Sequence, residues 1–115
     1  MIRLSEGDAP YTIHAELTRV GDDLLCIVTG GTRPHIGAVC LADFATGQPV
    51  CRTLAGEGHK EALPAELFAK ALCEHHGVNV ACTAGIHVDD ASTDEIGIMM
   101  GNATMLLDRL LKVKV

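Results

Sequence analysis

The spacing of apolar residues changes at Gly58, and that change limits the fold more than any single motif does. Before Gly58 the apolar residues come in short runs at strand spacing, and beyond it they recur at helical spacing with one return to a strand. From Tyr11 to Thr18 the pattern alternates, with Tyr11, Ile13, Ala15 and Leu17 on one face and Thr12, His14, Glu16 and Thr18 on the other, as a half-buried strand requires. Gly21-Asp22-Asp23 is a turn signal. The run from Leu24 to Thr29 is nearly continuous in apolar residues, as is Ile36 to Ala42, and a fourth run, Gln48 to Leu54, follows the loop Asp43-Phe44-Ala45-Thr46-Gly47. Four successive strands predict an antiparallel meander.

The spacing then predicts a helix from Glu61 to His76, with Leu63, Leu67, Ala71 and Leu72 on its inner stripe, Pro64 in the first turn and Gly77 as its stop. Val78 to Ile86 returns to strand character. The last helix opens with the capping box Ser92-Thr93-Asp94-Glu95 and turns Ile96, Met99, Met100, Ala103, Leu106, Leu107, Leu110 and Leu111 to one face. Gly97 and Gly101 weaken that helix by on the order of 1 kcal/mol each relative to Ala, so tight packing on the sheet is expected there, with close approach of a ligand as the alternative. The expected fold is therefore α/β (α+β): a two-layer sandwich whose mainly antiparallel sheet has the order β-β-β-β-α-β-α, with both helices on one face. A single domain should span residues 1–115.

Composition narrows the function classes. The net charge of −6 without Lys/Arg runs argues against nucleic acid. Five cysteines, Cys26, Cys40, Cys51, Cys73 and Cys82, are odd in number and mostly set in apolar runs without a CxxC pair, which predicts reduced, buried thiols. The N-terminus has no apolar stretch of signal-peptide length and no run approaches a membrane span, so a cytoplasmic location is expected.

Three glycine-bracketed segments carry the chemistry: Gly30 to Gly37 with Arg33, Pro34 and His35; Gly56 to Glu61 with His59 and Lys60; and Gly85 to Asp90 with His87 and Asp89. Each places an imidazole near the end of a strand. In the expected sheet all three ends share one edge, so His35, His59 and His87 become candidate metal ligands, with Asp89 or Glu61 completing or orienting the shell. Both helices also begin at that edge, where free backbone N–H groups favour an anion such as phosphate, assisted by Arg33 and Lys60. Loop capping by each histidine alone is the competing account. His14 should be solvated on its strand, and His75 and His76 should compensate the dipole at a helix C-terminus.

The segments GGTRPHIGAV, GHKE and AGIHVDDA, in this order and spacing, resemble the small D subunit of gallate-type hydroxyarylic acid decarboxylases, a family of prenylated-flavin chaperones, over residues 10–111. The resemblance implies a fold like that of proteasome assembly chaperones, a homodimer, and an accessory role. The chain would bind prenylated FMN, with a divalent metal ion as a second candidate ligand, and deliver the flavin to the decarboxylase large subunit. A flavin prenyltransferase is a further candidate partner. It also implies that Pro34, His35, Gly37, His59, Lys60, Glu61, His87 and Asp89 serve this role, with the histidines near the flavin or a metal; Arg33 and Gly85 lie within the same segments. The aliphatic Ile36 and Ile86 would meet the flavin ring. The stretch Phe44-Ala45-Thr46-Gly47 is additional to those motifs. Two other readings use the same residues: a small metal-dependent hydrolase or lyase with Glu61 or Asp89 as general base, and a cofactor-free assembly factor with structural histidines.

Overall fold

The computed structural model describes residues 1–57 and 61–115. One six-stranded sheet carries two helices on a single face. In chain order the elements are β1 (Ile2–Glu6), β2 (Ile13–Val20), β3 (Asp23–Gly31), β4 (Ala38–Asp43), β5 (Val50–Ala55), α1 (Ala62–His76), β6 (Val80–His87) and α2 (Thr93–Leu110). The two-layer, mainly antiparallel architecture is the one the apolar spacing predicts. The N-terminal β1 is an addition: its five residues pair with β2 from Ile2↔Leu17 to Glu6↔Ile13 and are too short to register as a periodic run.

The sheet order is β1-β2-β3-β6-β4-β5, so the expected four-strand meander is split. β6 inserts between β3 and β4, parallel to the first and antiparallel to the second. The six residues 32–37 are longer than a tight hairpin needs, and they carry the chain across the end of β6. The fully buried residues Cys26, Cys82 and Cys40 face one another on the three central strands, so the thiols pack side by side as small apolar groups. Burial and the neighbouring Cys40 push the Cys51 thiol up to about 11, and all five cysteines are free.

The core is one cluster in which Ile13, Leu17, Val28 and Val80 from the sheet meet Phe68 and Leu72 of α1 and Leu106 and Leu110 of α2. The inner stripe of α1 is offset from the expected one: Pro64, Ala65, Phe68, Ala69, Leu72 and Cys73 are buried, whereas Leu63 and Leu67 are exposed. Phe68 decides this rotation because it is the largest fully buried side chain. Gly77 ends α1 in the left-handed conformation, φ 65°, and its N–H donates to the Cys73 carbonyl. At α2 the capping box forms as read, with the Glu95 N–H donating to Ser92 Oγ and the Ser92 N–H donating to the Glu95 carboxylate. Gly97 and Gly101 face open space, which corrects the expectation of tight packing. The Phe44–Gly47 stretch is a turn closed by the Gly47 N–H donating to the Phe44 carbonyl, 3.0 Å. No helix among the described residues is long and apolar enough to cross a membrane.

Candidate functional site

β3, β5 and β6 end at one edge of the sheet, and β4, α1 and α2 begin there. The loop 32–37 is fastened across that edge at both ends. The Thr32 N–H donates to the His87 carbonyl at 2.8 Å, and the Gly37 N–H donates to the Ala84 carbonyl at 2.8 Å. Between these bonds the main chain of His35 lies against Gly85, where any Cβ would collide with the His35 carbonyl. Gly37 serves a different neighbour: a Cβ there would sit 2.5 Å from the Glu61 carboxylate. These two glycines allow the crossing loop to sit flat enough for His35 to reach α1.

His35 Nδ1 lies 2.9 Å from the Arg33 carbonyl, and its Nε2 lies 2.9 Å from Glu61 Oε1. The carbonyl can only accept, so it suits an Nδ1–H, and Nε2 is turned to the carboxylate. Glu61 is buried immediately before α1, and its carbonyl accepts from Ala65 N–H, so the pair is built into the start of that helix. His87, the last residue of β6, is held differently. Its Nε2 meets Asp89 Oδ1 at 2.8 Å, and the same oxygen accepts from the Arg33 guanidinium at 2.7 Å. The hydrogen bond from His87 and the adjacent Arg33 charge hold the Asp89 carboxyl below its usual range. The two imidazoles stand edge to face with centroids 6.4 Å apart.

Beside them a cavity of about 370 Å³ opens between the first turns of α1 and α2, lined by Glu61, Leu63, Pro64, Ile86, His87, Val88, Ala91, Ile96, Met99 and Met100. Its walls are aliphatic and thioether, a surface suited to a flat aromatic ring, and its polar wall groups are Glu61 and His87. The helix termini offer unequal anion sites. The first turn of α2 contains Asp94 and Glu95 and is closed by its capping box, while that of α1 contains no acidic residue and has no side-chain cap among the described residues.

The structure thus brings together His35, His87, Asp89, Arg33, Gly37 and Gly85. Pro34 lies exposed in the crossing loop and Ile36 points to solvent, so Ile86 alone of the two expected ring contacts is on the cavity wall. His59 and Lys60 lie outside the described residues. Of the expected metal triad His35 and His87 are described and His59 is not; among the described residues no three His, Cys, Asp or Glu groups could hold an ion. His35 uses one nitrogen on a carbonyl and points the other at a carboxylate, and His87 uses one on Asp89, so a metal would have to displace these contacts. Sequence reasoning missed Leu63, Val88, Ala91, Ile96, Met99 and Met100 as lining residues. The available signal was that Leu63 and Ile96 fall at the first turns of the two helices.

Residues 7–114 match the family model of the prenylated flavin chaperone LpdD-like domain. The chain belongs to this family. Protein LpdD of Lactiplantibacillus plantarum is 34% identical over 98 residues, covering 84% of this chain and 72% of that protein. A chain in the crystal structure of a chaperone complex for yeast 20S proteasome assembly superposes with a TM-score of 0.67 over 96% of this chain and 90% of its own, at 12% identity. That likeness is one of fold.

Proposed function

We propose that this chain, as a single domain, binds prenylated FMN in the cavity between α1 and α2 and hands it to the large subunit of a hydroxyarylic acid decarboxylase. In this role it is an accessory protein acting in the cytoplasm, with a flavin prenyltransferase as the source of the cofactor. The observation that carries the reading is the cavity itself: an aliphatic and methionine-lined space of about 370 Å³, with Glu61 and His87 on its wall, in a member of the prenylated flavin chaperone family.

The residues fit the proposed ligand by part. Met99, Met100, Ile96 and Ile86 would cover the ring system, whose prenyl-derived ring adds apolar area that plain FMN lacks. His87 and the His35–Glu61 pair would face its polar edge, and the loop carrying Pro34 and Gly37, laid against Gly85 of β6, would hold that pair in place. The phosphate would go to the uncapped start of α1, beside Lys60 and His59 in sequence, with Arg33 released from Asp89 as a second cation. Bound flavin supplies the redox chemistry, and the chain shields it from water.

Titration of the purified chain with prenylated FMN, followed by flavin absorbance, tests this. Prenylated FMN should bind at least about tenfold more tightly than FMN, and Met99→Asp or His87→Ala should weaken it on the order of 10-fold to 100-fold. Equal binding of both flavins by the wild-type chain and a folded Met99→Asp variant would remove the cavity from consideration. Repeating the titration with and without a chelator isolates any metal requirement, and turnover by the chain alone would favour a hydrolase or lyase.

A further inference from the structure

The cavity is apolar out to its mouth. Leu63, in the first turn of α1, is 66% exposed and Ile96, in the first turn of α2, is 50% exposed, although both belong to the cavity wall. Leu67 follows Leu63 by one helical turn on the same side of α1 and is exposed as well, so the aliphatic surface continues from the wall onto the outside of the helical layer. Leu67 is not part of the wall, and a ligand held in the cavity leaves it in water. The charges around this lip are of one sign. Asp90 lies in the loop that brings Ala91 to the wall, Asp94 lies in the first turn of α2, and both are exposed. Among the described residues neither is ion-paired, and Arg33, the one cation described at this edge, is already committed to Asp89 at 2.7 Å. Asp90 adopts a left-handed backbone, φ 51°, which aspartate tolerates better than most residues other than glycine.

We infer that this acid-rimmed, apolar lip is the surface on which the protein that takes over the ligand docks, and that its counterpart there is an apolar patch bordered by Lys or Arg. The inference rests on the flavin reading above. FMN carries a phosphate, and an acceptor that binds it holds cations at its own phosphate end. Asp90 and Asp94 are the complement of such a basic entrance, while the uncovered aliphatic surface of Leu63, Leu67 and Ile96 supplies the dry centre of the contact. Docked in this way, the two openings face one another. The ring system passes from one apolar surface to the next without meeting bulk water, and the phosphate moves away from a rim of carboxylates toward a positive one. Net charge points the same way: a chain of charge −6 whose carboxylates border the cavity mouth is steered toward a basic partner.

Association of the full chain with the purified, flavin-free decarboxylase large subunit, followed by biolayer interferometry, is the test. The wild-type chain should bind, and raising the salt from about 0.05 M to about 0.5 M should weaken binding on the order of tenfold. Asp90→Asn combined with Asp94→Asn, asparagine being compatible with the left-handed backbone at 90, should weaken low-salt binding about tenfold through the association rate and remove most of the salt dependence. Leu67→Glu should weaken it on the order of 100-fold at unchanged circular dichroism. Val20→Glu, exposed at the β2–β3 turn on the opposite edge of the sheet, should bind as the wild type does. None of these residues lines the cavity, so every variant should keep the wild-type affinity for prenylated FMN. A chain that docks in this residue-dependent way yet binds no flavin would support the lip and remove the flavin reading. A wild type that does not associate, association unmoved by the Asp90/Asp94 and Leu67 changes, or sedimentation showing that those changes release a second copy of the chain would each overturn the proposal.

Discussion

Helix α1 has a pair of histidine rings at each end, and the closer pair is the less supported. His75 and His76, in its last turn, stand 4.8 Å apart, whereas His35 and His87, beside its first turn, stand 6.4 Å apart. At the first turn each ring of the pair has a carboxylate: Glu61 for His35 and Asp89 for His87. At the last turn His76 Nε2 is buried with no hydrogen-bond partner among the described residues, and burial, then the neighbouring His75 and Arg19 charges, pull its pKa down. A helix C-terminus favours a protonated imidazole, yet desolvation outweighs the dipole at His76. Proximity of rings therefore does not make a site; a sheet edge where several chain segments end, and can each supply an acceptor, does.

The contrast is open to attack in order of expected effect. Gly85→Ala should cost the most, about 2–3 kcal/mol in urea unfolding, because the added methyl has only the fixed main chain of His35 to displace. Gly77→Ala at the other end meets ordinary contact with Phe44 and suffers only its positive φ, about 1 kcal/mol. Comparable losses would mean that the crossing loop yields. Next, His35→Ala should destabilise by about 1–3 kcal/mol, since Glu61 keeps its buried position without the imidazole beside it. His75→Ala should stay within about 0.5 kcal/mol, and a larger cost at His75 would reverse the comparison.

The smaller effects are read by pH. Because the folded pKa of His76 lies below the ordinary histidine value of 6.5, the unfolded chain takes up its proton first. Stability contributed by this group is thus present above about pH 6.5 and declines as pH falls from there to the lowered folded value. His76→Gln should flatten that part of the thermal-stability profile; an unchanged slope would place the acid sensitivity elsewhere. At Asp89 the sign is the same but the window is lower: its depressed pKa contributes stability above the ordinary carboxylate range that disappears as pH falls through the lowered value. His87→Ala should move the Asp89 carboxyl midpoint up toward 3.8 in a carbon NMR titration, since the lost hydrogen bond is the largest lowering influence.

What the sequence disclosed about this fold was local, and what it concealed was pairing. Ser92 and Glu95 announce the start of α2 because both halves of the box lie within one turn, and Gly77 announces the end of α1 for a similar reason. The insertion of β6 between β3 and β4 leaves no such mark, since Val80–His87 carries the same apolar spacing whichever neighbours it has. The edge reasoning nevertheless brought His35 and His87 together, because β3 and β5 end where β4 begins in either topology. The cavity was hidden by a rotation of α1: Leu63 has the right chemistry for the core and lies instead on the cavity wall, because Phe68 fixes the inward stripe. The Glu61–His35 pair was hidden because Gly37, which makes room for it, resembles any loop glycine.

The late arrival of β6 orders events during synthesis. As the chain leaves the ribosome, β2–β3 and β4–β5 are two hairpins with no strand ladder in common until Val80–His87 follows α1 out and slots between them. The same strand delivers Ile86 and His87 to the cavity, so the sheet becomes continuous and the cavity gains that wall in a single step. An unfinished chain would therefore have neither a complete sheet nor a place to hold a ligand.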